Sequence, residues 1–101
     1  MVKHIVSWNF AENLTEEEKQ NKAQAIKREL ENLINLIPGI VSIKVYTKPL
    51  QSSDVDIVLD SVFESEEALL NYQTHPEHVR VGTEFVKPVT INRKCVDFLM
   101  D

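Results

Sequence analysis

Val55-Asp56-Ile57-Val58-Leu59-Asp60-Ser61-Val62-Phe63 alternates with a period of two and reads as a β-strand with two distinct faces. Val55, Ile57, Leu59, Ser61 and Phe63 share one face, while Asp56, Val58, Asp60 and Val62 share the other. The second face is mixed. Valines set among aspartates on the side away from a core point to a surface covered by something beyond one chain.

Downstream, Ser65-Glu66-Glu67 caps a helix with Ala68, Leu69 and Tyr72 as its inward positions. The stretch Tyr72-Gln73-Thr74-His75-Pro76-Glu77-His78-Val79 breaks and restarts that helix. Pro76 fits a first helical turn, with His75 near the N-cap and His78 able to face back towards Tyr72. Val79, Gly82, Phe85 and Val86 are expected on the inner side of the continuation, which Pro88 closes. Ile91 to Leu99 is then the last strand, with Val96 and Phe98 on one face and Ile91, Arg93, Cys95 and Asp97 on the other.

Upstream, Lys48 to Asp54 is a turn-rich connector, and Ile40 to Thr47 is a strand with Val41, Ile43 and Val45 on one face. Before it, Thr15 and Glu18 form a capping box, and Glu16, Glu17 and Glu18 suit the positive end of a helix dipole. Ala23, Ile26, Leu30, Leu33, Ile34 and Ile37 recur at helical spacing as one apolar stripe until Pro38-Gly39 ends the helix. Residues 2–10 alternate again, with Val2, His4, Val6, Trp8 and Phe10 on one face.

The order is strand, helix, strand, strand, helix, strand. It predicts a ferredoxin-like α+β sandwich: a four-stranded antiparallel sheet with the first and third strands central and both helices on one face. On the helix-free face, Val58 and Val62 beside Val96 or Phe98 are too apolar to leave wet. Two such sheets packed face to face would bury them, so a homodimeric α/β barrel is expected.

At 101 residues with 43% hydrophobic content, the chain is read as one domain over residues 1–101, with a modest core. A formal net charge of -5 argues against nucleic acid, which asks for clustered Lys and Arg. One cysteine, Cys95, excludes an intrachain disulfide and argues against a cysteine-based zinc site, and in an apolar strand it is expected to be a free, functionally silent core residue. The start Met-Val-Lys-His has no signal-peptide layout and no run approaches membrane-spanning length, so no membrane partner and a reducing, cytoplasmic location are expected.

Imidazole is the side chain whose ordinary pKa lies closest to neutral, so acid–base chemistry is sought at the histidines. His4 lies on the larger apolar face of the first strand, where it either bonds a neighbour within the core or lines a pocket. His75, Glu77 and His78 form no recognised ligand pattern, so no metal is expected from them.

Four landmarks together resemble a known family: Val2-Lys3-His4-Ile5-Val6, Ile37-Pro38-Gly39-Ile40, Phe63-Glu64-Ser65 and Tyr72-x-x-His75-Pro76-x-His78-Val79. They are similar to the stress-responsive α/β-barrel (Dabb) domain, a family of dimeric ferredoxin-like barrels. The resemblance implies a homodimer and, in each subunit, a cavity between helices and sheet for an apolar or polyketide-like small molecule. The family holds plant stress proteins, uncharacterised bacterial proteins and polyketide cyclases, so the resemblance alone leaves activity open.

In the cyclase members the catalytic pair looks like a tyrosine and the second motif histidine, which match Tyr72 and His78 here. His78 would take a proton from the carbon between two carbonyls, and the Tyr72 phenol would orient it or polarise the carbonyl, with no cofactor. By the same resemblance His4 would line the pocket; Trp8 would floor the cavity with it beneath the first helix, and His75 is expected among the substrate-binding residues. A connector that looks short over residues 47–55, Val55 in place of an aromatic and Ile57 in place of a polar group set this chain apart from the plant cyclases. A related barrel that degrades haem or oxidises quinols shares only the fold.

Overall fold

The structure is a computed structural model that describes residues Met1–Asp101. Its strands are β1 (Val2–Phe10), β2 (Ile40–Tyr46), β3 (Ile57–Phe63) and β4 (Thr90–Leu99), and its helices are α1 (Glu16–Glu31), α2 (Glu66–Thr74) and α3 (Pro76–Val81). The sheet order is β2-β3-β1-β4 and every pairing is antiparallel, so the ferredoxin-like α+β architecture with β1 and β3 central is the one formed. No helix is long and apolar enough to cross a membrane.

Local chemistry sets the boundaries. The Thr15 hydroxyl accepts from the Glu18 N–H and the Glu18 carboxylate accepts from the Thr15 N–H, which satisfies two otherwise orphaned donors of α1. Ser65 does the same for α2 by accepting from the Ala68 N–H. At the turn into β2, Gly39 sits at φ +92°, and a Cβ there would lie 2.7 Å from the Cβ of Ala68. Only glycine fits both the left-handed backbone and the close approach of α2.

Val2, Val6 and Trp8 from β1, Ile57, Leu59 and Phe63 from β3, and Val45 from β2 form the floor of the core. Ile26, Leu30, Leu33, Leu69, Tyr72 and Val81 close it from above. Ser61 is buried in the sheet but satisfied, its hydroxyl donating to the His4 carbonyl at 2.7 Å. At the edge of β2, the Val45 N–H donates to Glu31 (2.9 Å) and the Lys27 ammonium donates to the Val45 carbonyl (2.7 Å). Burial alone would raise the Glu31 pKa; the bonds from Lys27 and the Val45 N–H outweigh it and hold it below the usual carboxylate range.

Five placements differ from the sequence expectation. After Glu31 the chain tightens into a 3₁₀ turn over Asn32–Asn35, which turns more per residue and leaves Leu33 inside but Ile34 exposed. A β-bulge between Ile40 and Ser42 puts Ile40, not Val41, on the inner side with Ile43 and Val45. Beyond α3 a π turn at Gly82–Val86 widens the spacing, so Val81 and Val86 point inward while Val79 is exposed. Val62 is already 8% exposed in the single chain, whereas Phe98, two strands away on the same outer face, is 65% exposed. Cys95 is exposed, because β4 is an edge strand that no helix covers. A bulge opposite Trp8, with Asn92 at φ 57°, tilts β4 where it leaves the helical segment.

Candidate active site

His4 and Tyr72 meet across the core from opposite layers. The His4 ring lies edge-on to Phe63 and to Tyr72, with centroids 6.0 and 6.1 Å away, and Phe63 and Tyr72 are 4.8 Å apart. Tyr72 reaches this place from the inward stripe of α2, and His78 from the first turn of α3 lies against it at 4.4 Å between centroids. The sequence-predicted trio of Tyr72, His78 and His4 is thus one contiguous aromatic stack.

His78 Nδ1 donates to the Gln73 carbonyl at 3.1 Å, which leaves Nε2 with the free lone pair in the neutral ring. Burial lowers the His78 pKa, although the Gln73 bond pulls the other way, so the ring favours the neutral form at pH 7. Tyr72 is fully buried and its phenol is pushed above the ordinary tyrosine range by desolvation. Its hydroxyl has no hydrogen-bond partner within the chain. An orphaned buried hydroxyl costs about 1–3 kcal/mol, so the fold keeps this group at a penalty.

The remaining expected residues fall elsewhere. Trp8 is packed into the core, and His75 serves as the N-cap of α3, its Nδ1 accepting from the Glu77 N–H at 3.1 Å. His75 borders a surface depression with Gly39 and Ala68. None of the five principal depressions is lined by Tyr72, His78, His4 or Trp8, and Tyr72, His4 and Trp8 are buried among the core side chains. A groove of about 350 Å³ opens instead between α2 and the β1–β4 pair, walled by Val2, Leu69, Leu70, Phe98 and Leu99 with Glu66, Gln73 and Asp97 as polar members.

Asp97 connects that groove to the stack. It stands directly opposite His4 in the β1–β4 register, and His4 Nδ1 donates to its carboxylate at 2.5 Å. Cys95, two residues earlier on the same face, places Sγ 3.5 Å from Asp97 and 3.8 Å from His4 Nδ1. Sequence reasoning put Cys95 and Asp97 on one strand face but could not supply the register that sets them against His4.

The model of the Stress responsive A/B Barrel Domain family matches residues 2–100. A stress-response A/B barrel domain-containing protein of Arabidopsis thaliana is 46% identical over 44 residues, which is 44% of this chain and 17% of that protein. Olivetolic acid cyclase of Cannabis sativa is 29% identical over 84 residues, covering 80% of this chain and 79% of the cyclase. Among solved structures, a dimeric protein of unknown function and ferredoxin-like fold from Bacteroides fragilis superposes with a TM-score of 0.90 at 31% identity, over 98% of this chain and 95% of that one.

Proposed function

Because this chain belongs to the stress-responsive A/B barrel domain family, we propose that it acts as one domain over residues 1–101, a homodimer that binds a small molecule in the groove between α2 and the β1–β4 pair. The groove carries this reading. Its volume of about 350 Å³ lies at the lower end of the roughly 300–1,000 Å³ usual for ligand pockets. Apolar walls with Gln73 and Asp97 as convergent polar groups fit a compact, mainly apolar molecule bearing a hydroxyl or keto group. We place the protein in the cytoplasm, where the free thiol of Cys95 would stay reduced.

An amide NMR titration with a neutral alkyl β-diketone tests it. Saturable shifts are expected at Leu69, Leu70, Gln73 and Asp97, and Leu70→Arg, a change at an exposed side chain, should weaken binding at least about tenfold by filling the groove. Shifts that do not saturate, or that centre on another surface, would overturn the reading.

The dimer is proposed through the helix-free face, where Phe98, Lys3 and Val62 form one cross-strand row and Val96, Ile5 and Asp60 the next. The description of the Bacteroides fragilis relative as dimeric supports it. Phe98→Glu is the sharper probe, since Val62 is largely covered without a partner. Light scattering should show the mass fall by half in Phe98→Glu; an unmutated protein that is monomeric at micromolar concentration would rule the dimer out.

A second reading, cofactor-free acid–base catalysis of the cyclase type, rests on the neutral His78 ring packed on a tyrosine whose hydroxyl is buried and unpartnered. The likeness to olivetolic acid cyclase supports it. In this reading His78 Nε2 removes a proton from a carbon between two carbonyls, Tyr72 orients or polarises the substrate, and His4 packs against Tyr72 from the sheet side. The π turn that follows α3 is a feature often found beside functional sites.

A further inference from the structure

We propose that His4, Cys95 and Asp97 form a binding site for a divalent transition-metal ion of the zinc class, with a fourth coordination position open to the groove. The three donors are brought together by strand geometry alone. Asp97 is the cross-strand partner of His4, and Cys95 lies at i−2 on the same face of β4, so a nitrogen, a sulfur and an oxygen donor converge within 4.8 Å of one another.

Their spacing fits the ion. With zinc bonds of about 2.3 Å to sulfur and about 2.0–2.2 Å to nitrogen and oxygen, a tetrahedral centre holds its donors about 3.4–3.6 Å apart. Sγ already stands 3.5 Å from the carboxylate and 3.8 Å from the imidazole nitrogen. The 2.5 Å contact to His4 is made by Oδ1 and the 3.5 Å contact to Cys95 by Oδ2, so the His4–Asp97 pair has to part and the carboxylate has to turn one oxygen onto the ion, which takes the place of the proton between them. On binding, the Sγ proton goes to solvent and the imidazole proton moves from Nδ1 to Nε2.

The chemistry of the set selects the metal. Thiolate and imidazole favour zinc over calcium or magnesium, which prefer all-oxygen shells. Three protein donors plus an open vertex is the arrangement of an exchangeable site, and Asp97 borders the groove from which a water or ligand would complete it. The site is also braced: His4 is buried on a central strand, with Phe63 and Tyr72 packed on its ring. This inference stands independently of any reaction at Tyr72 and His78.

Titration of chelator-treated protein with Co²⁺, then Zn²⁺, decides it. One Co²⁺ per chain is expected, with a thiolate-to-cobalt charge-transfer band in the near ultraviolet that Zn²⁺ abolishes. Cys95→Ser should remove the band and weaken Zn²⁺ binding by more than the roughly 10–100-fold that loss of an outer-shell partner costs. Asp97→Asn should weaken Zn²⁺ binding while the band persists. Both positions are exposed, so the fold should survive, as circular dichroism would verify. No band in the unmutated protein, a band that survives Cys95→Ser, or equal Zn²⁺ affinity in all three proteins would overturn the proposal.

Discussion

Phe63→Ala is expected to lower the unfolding free energy by about 3–5 kcal/mol, the range for truncating a fully buried aromatic. Phe63 is 0% exposed at the end of β3, where it supports both the His4 ring and the Tyr72 ring. Its partners come from β1 and α2, so neither element can slide in to fill the space without breaking the β1–β3 ladder or the packing of α2 on Gly39. Urea unfolding followed by circular dichroism measures the loss. A cost under about 1 kcal/mol would mean that the stack collapses freely and that Phe63 does not brace the site.

The second large effect is on rate. If the acid–base reading holds, Tyr72→Phe and His78→Ala should each lower turnover of a poly-β-keto substrate by roughly two to four orders of magnitude. Stability separates the two variants from ordinary core lesions. Because the Tyr72 hydroxyl has no partner in the chain, Tyr72→Phe should raise the unfolding free energy, by about 1 kcal/mol or more, while activity falls. The depressed His78 pKa should place the acid limb of the rate profile below the ordinary imidazole value. The unfolded chain then binds the proton more readily, so stability linked to His78 is complete above the ordinary imidazole pKa and declines as pH falls towards the folded value. Tyr72→Phe that turns over like the parent would remove the tyrosine from the mechanism.

Much of this was legible because it depends on local periodicity. The alternation of residues 2–10, the Thr15–Glu18 box and the restart at His75-Pro76 each depend on neighbours a few residues away, and each formed as read. The pairing of Tyr72 with His78 followed from the same short range. What failed was whatever one extra residue can shift: the bulge that displaced Val41, the 3₁₀ turn that expelled Ile34 and the π turn that exchanged Val79 for Val81. The place of Asp97 beside the groove was hidden for another reason. It depends on which residue of β4 lies opposite His4, a pairing 93 residues apart in sequence that a bulge at Asn92 helps to set.

The two rims of the sheet are unequal in what they can recruit. At β2, Lys27 and Glu31 occupy the carbonyl and N–H of Val45, so another strand could zip on there only by evicting both side chains from α1. The side-chain bonds of β4 run instead to His4, to the Val86 carbonyl and within the strand. Side chains that occupy the outward groups of an edge strand make it a poorer template for a further strand, so at Val45 the β2 rim is less open to edge-to-edge pairing. Loss of the Glu31 carboxylate would free the Val45 N–H and leave the Lys27 ammonium without its ion-pair partner beside it.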